Sequence, residues 1–262
     1  MRNIKSVQKI VVKVGTSTLT FEQGSLNLKR IEELVRVLSD IKNSGKQVVL
    51  VSSGAIGVGV SRLRLSERPN DIKDKQAAAA VGQCQLMSIY DEFFRRYNQV
   101  VGQVLLTKDV ITNKIMHENA VNTFDALLNY GAIPIVNEND TVSTYEIMFG
   151  DNDRLSAYVA NIVDADLLIM LTDIDGLYDK NPSEIDAKLI NEVQEITDEI
   201  RNNAGGVGSN RGTGGMATKI AAVEIACDSD TKTIIMDGSN PAAIYDVLEG
   251  AEIGTYFDLK QN

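Results

Sequence analysis

The sequence predicts an α/β protein, a three-layer α/β/α sandwich built around a mainly parallel sheet. Three observations lead there. Short apolar runs alternate with longer stretches of helical periodicity from Lys9 to Leu248. Most runs end in small, polar or glycine residues, the layout of a turn at the carboxyl end of a strand. Composition does not shift along the 262 residues and no internal repeat occurs, so the whole of 1–262 reads as one domain.

The elements follow in order. Lys9 to Val14, KIVVKV, is a strand interrupted by Lys13. Burying a lysine is expensive unless its ammonium reaches a partner at the strand end. The alternative is an edge strand with Lys13 in water. Asn27 to Ser44 is an amphipathic helix, with Ile31, Leu34, Val35, Leu38 and Ile41 on one face and Gly45 as its stop. Val48 to Val51 is the next buried strand. It runs into Ser52-Ser53-Gly54-Ala55-Ile56-Gly57-Val58-Gly59, read as a glycine-rich loop ahead of a helix. Such a loop either lets backbone N–H groups touch an anion at the helix N-terminus or serves close helix–sheet packing.

Lys73 to Tyr97 is a long helix with an alanine-rich start, and Val100 to Leu106 another strand. His117, the only histidine, falls in the helical stretch that follows and is given no role. Ile133 to Val136 is a strand leading to Asn137-Glu138-Asn139-Asp140. A second polar cluster, Asp151-Asn152-Asp153, opens a helix marked by Leu155, Val159, Ile162 and Val163. Two such clusters at element ends can converge on one pocket, offering amide donors, carboxylate acceptors and oxygen ligands for a hard cation. Taken singly, each reads first as a turn or a helix cap.

Asp166 to Leu171 is a strongly buried strand ending in Thr172-Asp173-Ile174-Asp175-Gly176, well placed for a ligand. Residues 193 to 204 are polar and look helical. Residues 202 to 215 carry six glycines and read as a mobile loop, which runs into Met216-Ala217-Thr218-Lys219 and an apolar helix. Thr231 to Met236 and Pro241 to Leu248 are the last strand and helix.

A net charge of −10, from 26 basic and 36 acidic residues, argues against nucleic acid or an anionic membrane as the main partner. It leaves room for an anionic small molecule at a local cationic site. Cys84 and Cys227 make neither a disulfide framework nor a metal spacing, and both read as buried small hydrophobes in a reducing compartment. The first residues open no signal peptide and no apolar run reaches transmembrane length, so a cytoplasmic protein is expected.

The chemistry turns on the glycine loop. Gly212 to Ala217 formally matches the dinucleotide fingerprint, with Asp237 twenty residues on, but the required preceding strand is missing. The G-x-x-x-x-G-K-[ST] phosphate loop is absent. What remains is a glycine-rich loop with Thr213, leading into a helix that carries Lys219. Together they offer N–H groups, a macrodipole and a cation to a polyphosphate. Lys13 and Lys219 can flank a transferring phosphoryl group, and Asp153 or Asp173 can hold Mg²⁺ or orient the lysines. A carboxylate acceptor needs no general base, which suits a chain with one poorly placed histidine.

The segments VVKVGTSTL, VVLVSSGAIGVG, IVNENDTVS, GDNDRLSA, LLTDIDGLYD and GTGGMATK, in this order, resemble the amino acid kinase family. The resemblance implies an α/β/α sandwich whose N-terminal part binds an amino acid and whose C-terminal part binds ATP. It implies ATP-dependent phosphorylation of the γ-carboxylate of L-glutamate, the first step of proline synthesis, with Mg²⁺ as cofactor. By the same likeness, Lys13 is the strand-end lysine that contacts phosphates. Ser53, Asp140 and Asn152 are positions that hold glutamate, with Asn137 close by. Thr172 and Asp173 are nucleotide contacts. Thr213, Gly214, Gly215, Met216, Ala217, Thr218 and Lys219 form the ATP loop and supply the second catalytic lysine, while Asp153 organises the two lysines. Proline feedback and homo-oligomers are implied too. Longer bacterial members carry a C-terminal RNA-binding-like domain, and this chain is expected to be a short form without it. The competing readings are a sibling kinase acting on another carboxylate, carbamate or nucleoside monophosphate, a silent sensor, and a dehydrogenase.

Overall fold

The computed structural model describes residues 2, 4, 6–21, 25–143, 152–204 and 215–259. The apolar runs become strands, all but the edge strand β3 buried on both faces: β1 (Lys9–Val14), β2 (Gln47–Ser52), β3 (Val100–Leu106), β4 (Ala132–Glu138), β5 (Leu167–Thr172) and β7 (Lys232–Asp237). Two short strands that the apolar pattern did not predict join them, β6 (Glu192–Val193) and β8 (Thr255–Phe257). Together they form one sheet in the order β3-β4-β2-β1-β5-β7-β8-β6. Every pairing is parallel except β7 with β8. β1 is central, so the edge-strand alternative for Lys13 fails. β2, β3 and β4 lie on one side of β1, and β5 and β7 on the other. Connections therefore diverge at the carboxyl end of β1, where open α/β sheets form their ligand crevice.

Among the described residues ten helices cover the sheet. They are α1 (Thr16–Leu19), α2 (Leu28–Asn43), α3 (Ala55–Arg62), α4 (Ile72–Arg96), α5 (Asp109–Thr112), α6 (Lys114–Asn129), α7 (Asn152–Ile162), α8 (Asp198–Ala204), α9 (Met216–Cys227) and α10 (Ala243–Leu248). Strand alternation sorts them into two layers. Ile10, Val12, Val14, Leu50, Ile169 and Leu171 face Leu34 and Leu38 of α2, Leu86 and Phe94 of α4, and Ile244 of α10. Val11, Val49, Val51, Leu168 and Met170 face Phe124 of α6, Val159 of α7, and Ala222 and Val223 of α9. Lys13 shares its parity with Val11, so its side chain leaves β1 toward α7 and α9.

Local signals explain the ends of α2. The Asn27 side chain accepts the Arg30 N–H at 3.1 Å, and Gly45 follows with φ +96°. The glycine-rich stretch after β2 is not a loop but α3, entered through Gly54 at φ +102°. A Cβ on Gly59 would lie 1.8 Å from the Ala78 carbonyl oxygen, and one on Gly82 1.8 Å from that of Ala55. These two glycines therefore serve the contact of α3 with α4, in place of the helix–sheet packing expected.

Three further expectations are corrected. Cys84 is exposed and Cys227 only half-buried. The inward face of α4 is set by Ala78, Ala79, Gly82, Leu86, Tyr90 and Phe94, and Cys84, two residues past Gly82, turns away from it. Burial and then the nearby Asp228 and Asp230 push the Cys227 thiol up. The polar stretch 193–204 is helical only from Asp198, because Val193 belongs to β6. His117 lies exposed on α6. No helix among the described residues is long and apolar enough to cross a membrane.

Candidate active site

Lys13 sits one residue before the carboxyl end of β1. Gly15, which follows it, leaves room at the strand end, since even a Cβ there would stand 3.6 Å from the Lys13 Nζ. From the α7/α9 layer come two partners. Asp153, in the first turn of α7, receives Lys13 Nζ on Oδ1 at 2.6 Å. Lys219, in the first turn of α9, reaches the other oxygen, Oδ2, at 3.1 Å. Thr218 Oγ1 also donates to Oδ2, at 3.0 Å. Asp153 is 1% exposed, and the two lysines 7% and 6%. Burial on its own raises the Asp153 carboxyl, but the Lys13 and then the Lys219 ammonium, with their hydrogen bonds, outweigh it and hold the group well below the usual carboxylate range. Asp153 thus stays charged, and it fixes two ammonium groups whose chain positions are 206 residues apart. Between Asp153 and Asp173, the sequence alternatives for orienting the lysines, the geometry selects Asp153.

One residue earlier on α7, Asn152 enters a different cluster. Its Nδ2 lies 3.1 Å from the Ser52 carbonyl oxygen, 3.0 Å from Ser53 Oγ and 2.9 Å from Asn137 Oδ1. Asn137, buried at the end of β4, donates from Nδ2 to Gln83 Oε1 of α4 at 2.9 Å. Ser52 Oγ pairs with the Tyr90 hydroxyl of α4 at 2.8 Å, and burial pushes that phenol well above its ordinary range. Ser53, Asn137 and Asn152 therefore meet, as the two-cluster reading expects. Asp140 lies in the turn beyond β4, half-buried. That turn is tied by Asn139, whose Oδ1 accepts from Thr141 Oγ1 at 2.6 Å.

Thr172 and Asp173 stand at the carboxyl end of β5, with Thr172 Oγ1 donating to Asp173 Oδ1 at 3.1 Å. Gly215, Met216, Ala217 and Thr218 form the entrance of α9, and Thr218 Oγ1 also donates to the Gly215 carbonyl at 2.8 Å. Thr213 and Gly214, like Asp151 and most of the glycine-rich stretch, lie outside the described residues. Gln83, Ser52 and Tyr90 are members of the amide cluster that the sequence reading did not name. A signal existed for Gln83: it follows Ala77 to Ala80 and Gly82, small residues that invite a close helix neighbour.

A parallel α/β/α core that gathers two buried lysines at its switch point has the form of a phosphotransferase. A family model agrees in detail: that of the Amino acid kinase family matches residues 8–237, and the chain belongs to this family. Glutamate 5-kinase of Clostridium perfringens is 58% identical over 263 residues, covering 98% of each chain. Glutamate 5-kinase of Lactococcus lactis is 52% identical over 264 residues, covering 99% of this chain and 98% of that one. Among solved structures, carbamate kinase from Giardia lamblia bound to AMP-PNP matches with a TM-score of 0.69 at 18% identity, covering 98% of this chain and 100% of that one. UMP kinase from Bacillus anthracis matches with a TM-score of 0.65 at 15% identity, over 96% of each chain. These two likenesses speak for the fold.

Proposed function

We propose that the protein transfers the γ-phosphoryl group of ATP to the γ-carboxylate of L-glutamate, giving glutamyl 5-phosphate and ADP for proline biosynthesis. The observation that carries the reaction class is the pair of buried ammonium groups fixed by Asp153. Transfer of a phosphoryl group spreads charge over its oxygens and demands positioned cations more than covalent chemistry. Lys13 and Lys219 supply them from opposite sides of the transferred group. A carboxylate oxygen attacks phosphorus, the bond to the ADP oxygen breaks, and no proton moves, so no base is needed. Glutamate as acceptor rests on the relatives that share more than half of the sequence.

In this reading residues 1–262 act as one domain. Ser53, Asn137, Asp140 and Asn152 hold the amino acid, Asp140 by pairing with its α-ammonium. Thr172, Asp173 and the segment from Thr213 to Lys219 hold the nucleotide. Mg²⁺, when bound, would supply further charge neutralisation to the transferring phosphoryl group. Asp153 is a poor ligand for it, since both its oxygens already receive ammonium groups, and no group of three or more His, Cys, Asp or Glu gathers for a metal among the described residues. Of the two carboxylates that the sequence offered, Asp173 at the carboxyl end of β5 would be the one to hold it. The same reading carries a cytoplasmic homo-oligomer under proline feedback. A carbamate or nucleoside monophosphate acceptor is disfavoured, because the kinases named for those substrates share only the fold with this chain.

The test is ADP release with L-glutamate, ATP and Mg²⁺, with hydroxylamine trapping of the acyl phosphate. A glutamate-dependent hydroxamate is expected. Equal turnover without a divalent ion, or none with glutamate, would sink the proposal.

A further inference from the structure

We propose that Gln83 is a positioning residue for the amino-acid substrate, acting through Asn137 and Asn152; this rests on the glutamate reading above. The direction of the amide chain follows from one fixed point. The Ser52 carbonyl can only accept, so the Asn152 atom that meets it is Nδ2. The Asn137 atom 2.9 Å from that nitrogen is then Oδ1, and its other end, Nδ2, must donate. Its acceptor is Gln83 Oε1 at 2.9 Å. Each amide thus determines the orientation of the next, from Asn152 at the start of α7 to Asn137, and Gln83 on α4 holds the far end of the chain in place. With Nδ2 committed to Ser52, Ser53 and Asn137, Asn152 turns its Oδ1 away from that group, as an acceptor of the kind an α-ammonium requires.

The placement of Gln83 depends on close helix contact. Gly59 and Gly82 let α3 and α4 approach until a single Cβ on either would strike the other helix backbone. Gln83 follows Gly82 directly and is carried to β4 by that contact. Seven residues on, Tyr90 of the same helix binds Ser52 Oγ. α4 therefore grips both strands that line the amide cluster, Asn137 of β4 through Gln83 and Ser52 of β2 through Tyr90. Gln83 binds Asn137 on the amide side of α7, so its loss is expected to be felt at the amino-acid end.

The experiment is steady-state kinetics of Gln83→Met, which keeps volume but removes the acceptor. Leaving the Asn137 amide without its partner is expected to raise KM for glutamate about tenfold, with kcat within about twofold of wild type and KM for ATP unchanged. Gln83→Glu retains an acceptor and should be milder than Gln83→Met. A more harmful Gln83→Glu would mean that the Gln83 amide nitrogen meets a substrate carboxylate directly, which overturns the relay. In an Asn137→Ala background, Gln83→Met should add less than about twofold to KM, and a full additive effect also overturns it. An unchanged KM in Gln83→Met is equally fatal. Gln83→Ala takes its place should Gln83→Met fail to fold. Wild-type enzyme silent toward glutamate would defeat the substrate reading instead. The relay is then judged by the ¹⁵N side-chain amide signals of Asn152, which shift in Gln83→Met if it exists and stay in place if it does not.

Discussion

Asn152 and Asp153 are neighbours on one helix turn, yet they belong to two regions of opposite character. Adjacent helical positions point about 100° apart, so the first residue enters a neutral amide cluster and the second a buried ion cluster. In the amide cluster every contact is directional: two N–H groups of Asn152 serve three acceptors within 3.1 Å, and a rotated Asn152 amide would set oxygen against oxygen. In the ion cluster geometry matters less than charge, since a carboxylate takes ammonium groups at either oxygen. Directional amides discriminate shapes and donor patterns, whereas fixed charges stabilise developing charge. The proposed division of labour, selection on one side of α7 and chemistry on the other, follows from that difference. Substitutions on the two sides should fail in different kinetic parameters.

The largest effect is expected at Asp153. Asp153→Asn removes the carboxylate shared by both lysines, so kcat should fall about 10³-fold or more. Because two buried ammonium groups lose their counter-charge, stability should fall by about 3–5 kcal/mol in denaturant unfolding. A variant that loses kcat without stability would show that the lysines find another partner, and the picture of one carboxylate holding the cluster would be wrong.

Lys219→Ala should follow, with kcat lowered about 10²-fold and KM for glutamate little changed. Lys219→Arg should rescue poorly, since a planar guanidinium cannot replace a compact ammonium between Asp153 and the transferred group. Normal kcat with weaker ATP binding would move Lys219 from the transition state to ground-state binding and blur the line between the two regions.

On the other side, Asp140→Asn should raise KM for glutamate by about one to two decades, with a smaller change for ATP. The variant keeps the shape and loses the charge. The turn beyond β4 is tied by Asn139, so Asp140→Asn should leave the melting temperature unaltered. Unchanged KM values would leave Asp140 as a turn residue only.

These contrasts were unevenly legible in the sequence. The strands were readable because burial on both faces produces continuous apolar runs, and Lys13 was conspicuous as a charge within one. Its meaning depended on the position of β1 in the sheet, which pairing decides and periodicity does not. Asp153 and Asp173 looked alike as carboxylates at element ends, and only the α7 crossing placed one between two lysines. The glycines of α3 were misread as a loop because low helix propensity was overridden by the contact with α4. Gln83 was marked only by the small residues before it, since its partner Asn137 is 54 residues away and the link exists only once α3 and α4 touch. β6 and β8 escaped notice because strands of two and three residues leave no period to detect.

The smallest expected effect concerns pH, and it bears on whether the ion cluster can ever exchange a proton. The folded Asp153 carboxyl is held below its unfolded value, about 3.9, by Lys13 and Lys219 against the opposing pull of burial. A depressed carboxyl contributes stability that is fully present above the unfolded pKa and is lost as pH falls through the folded one. The melting-temperature gap between wild type and Asp153→Asn should therefore be flat from about pH 8 to 5 and narrow only below about pH 4. A gap that already narrows between pH 7 and 6 would mean that burial prevails over the two ammonium groups. The carboxyl would then take up protons near neutrality, as a general acid or base does, and the kinase would have a proton donor that a carboxylate acceptor has no use for. A flat gap keeps Asp153 a permanent anion, so that the chemistry on its side of α7 is positioning and charge alone.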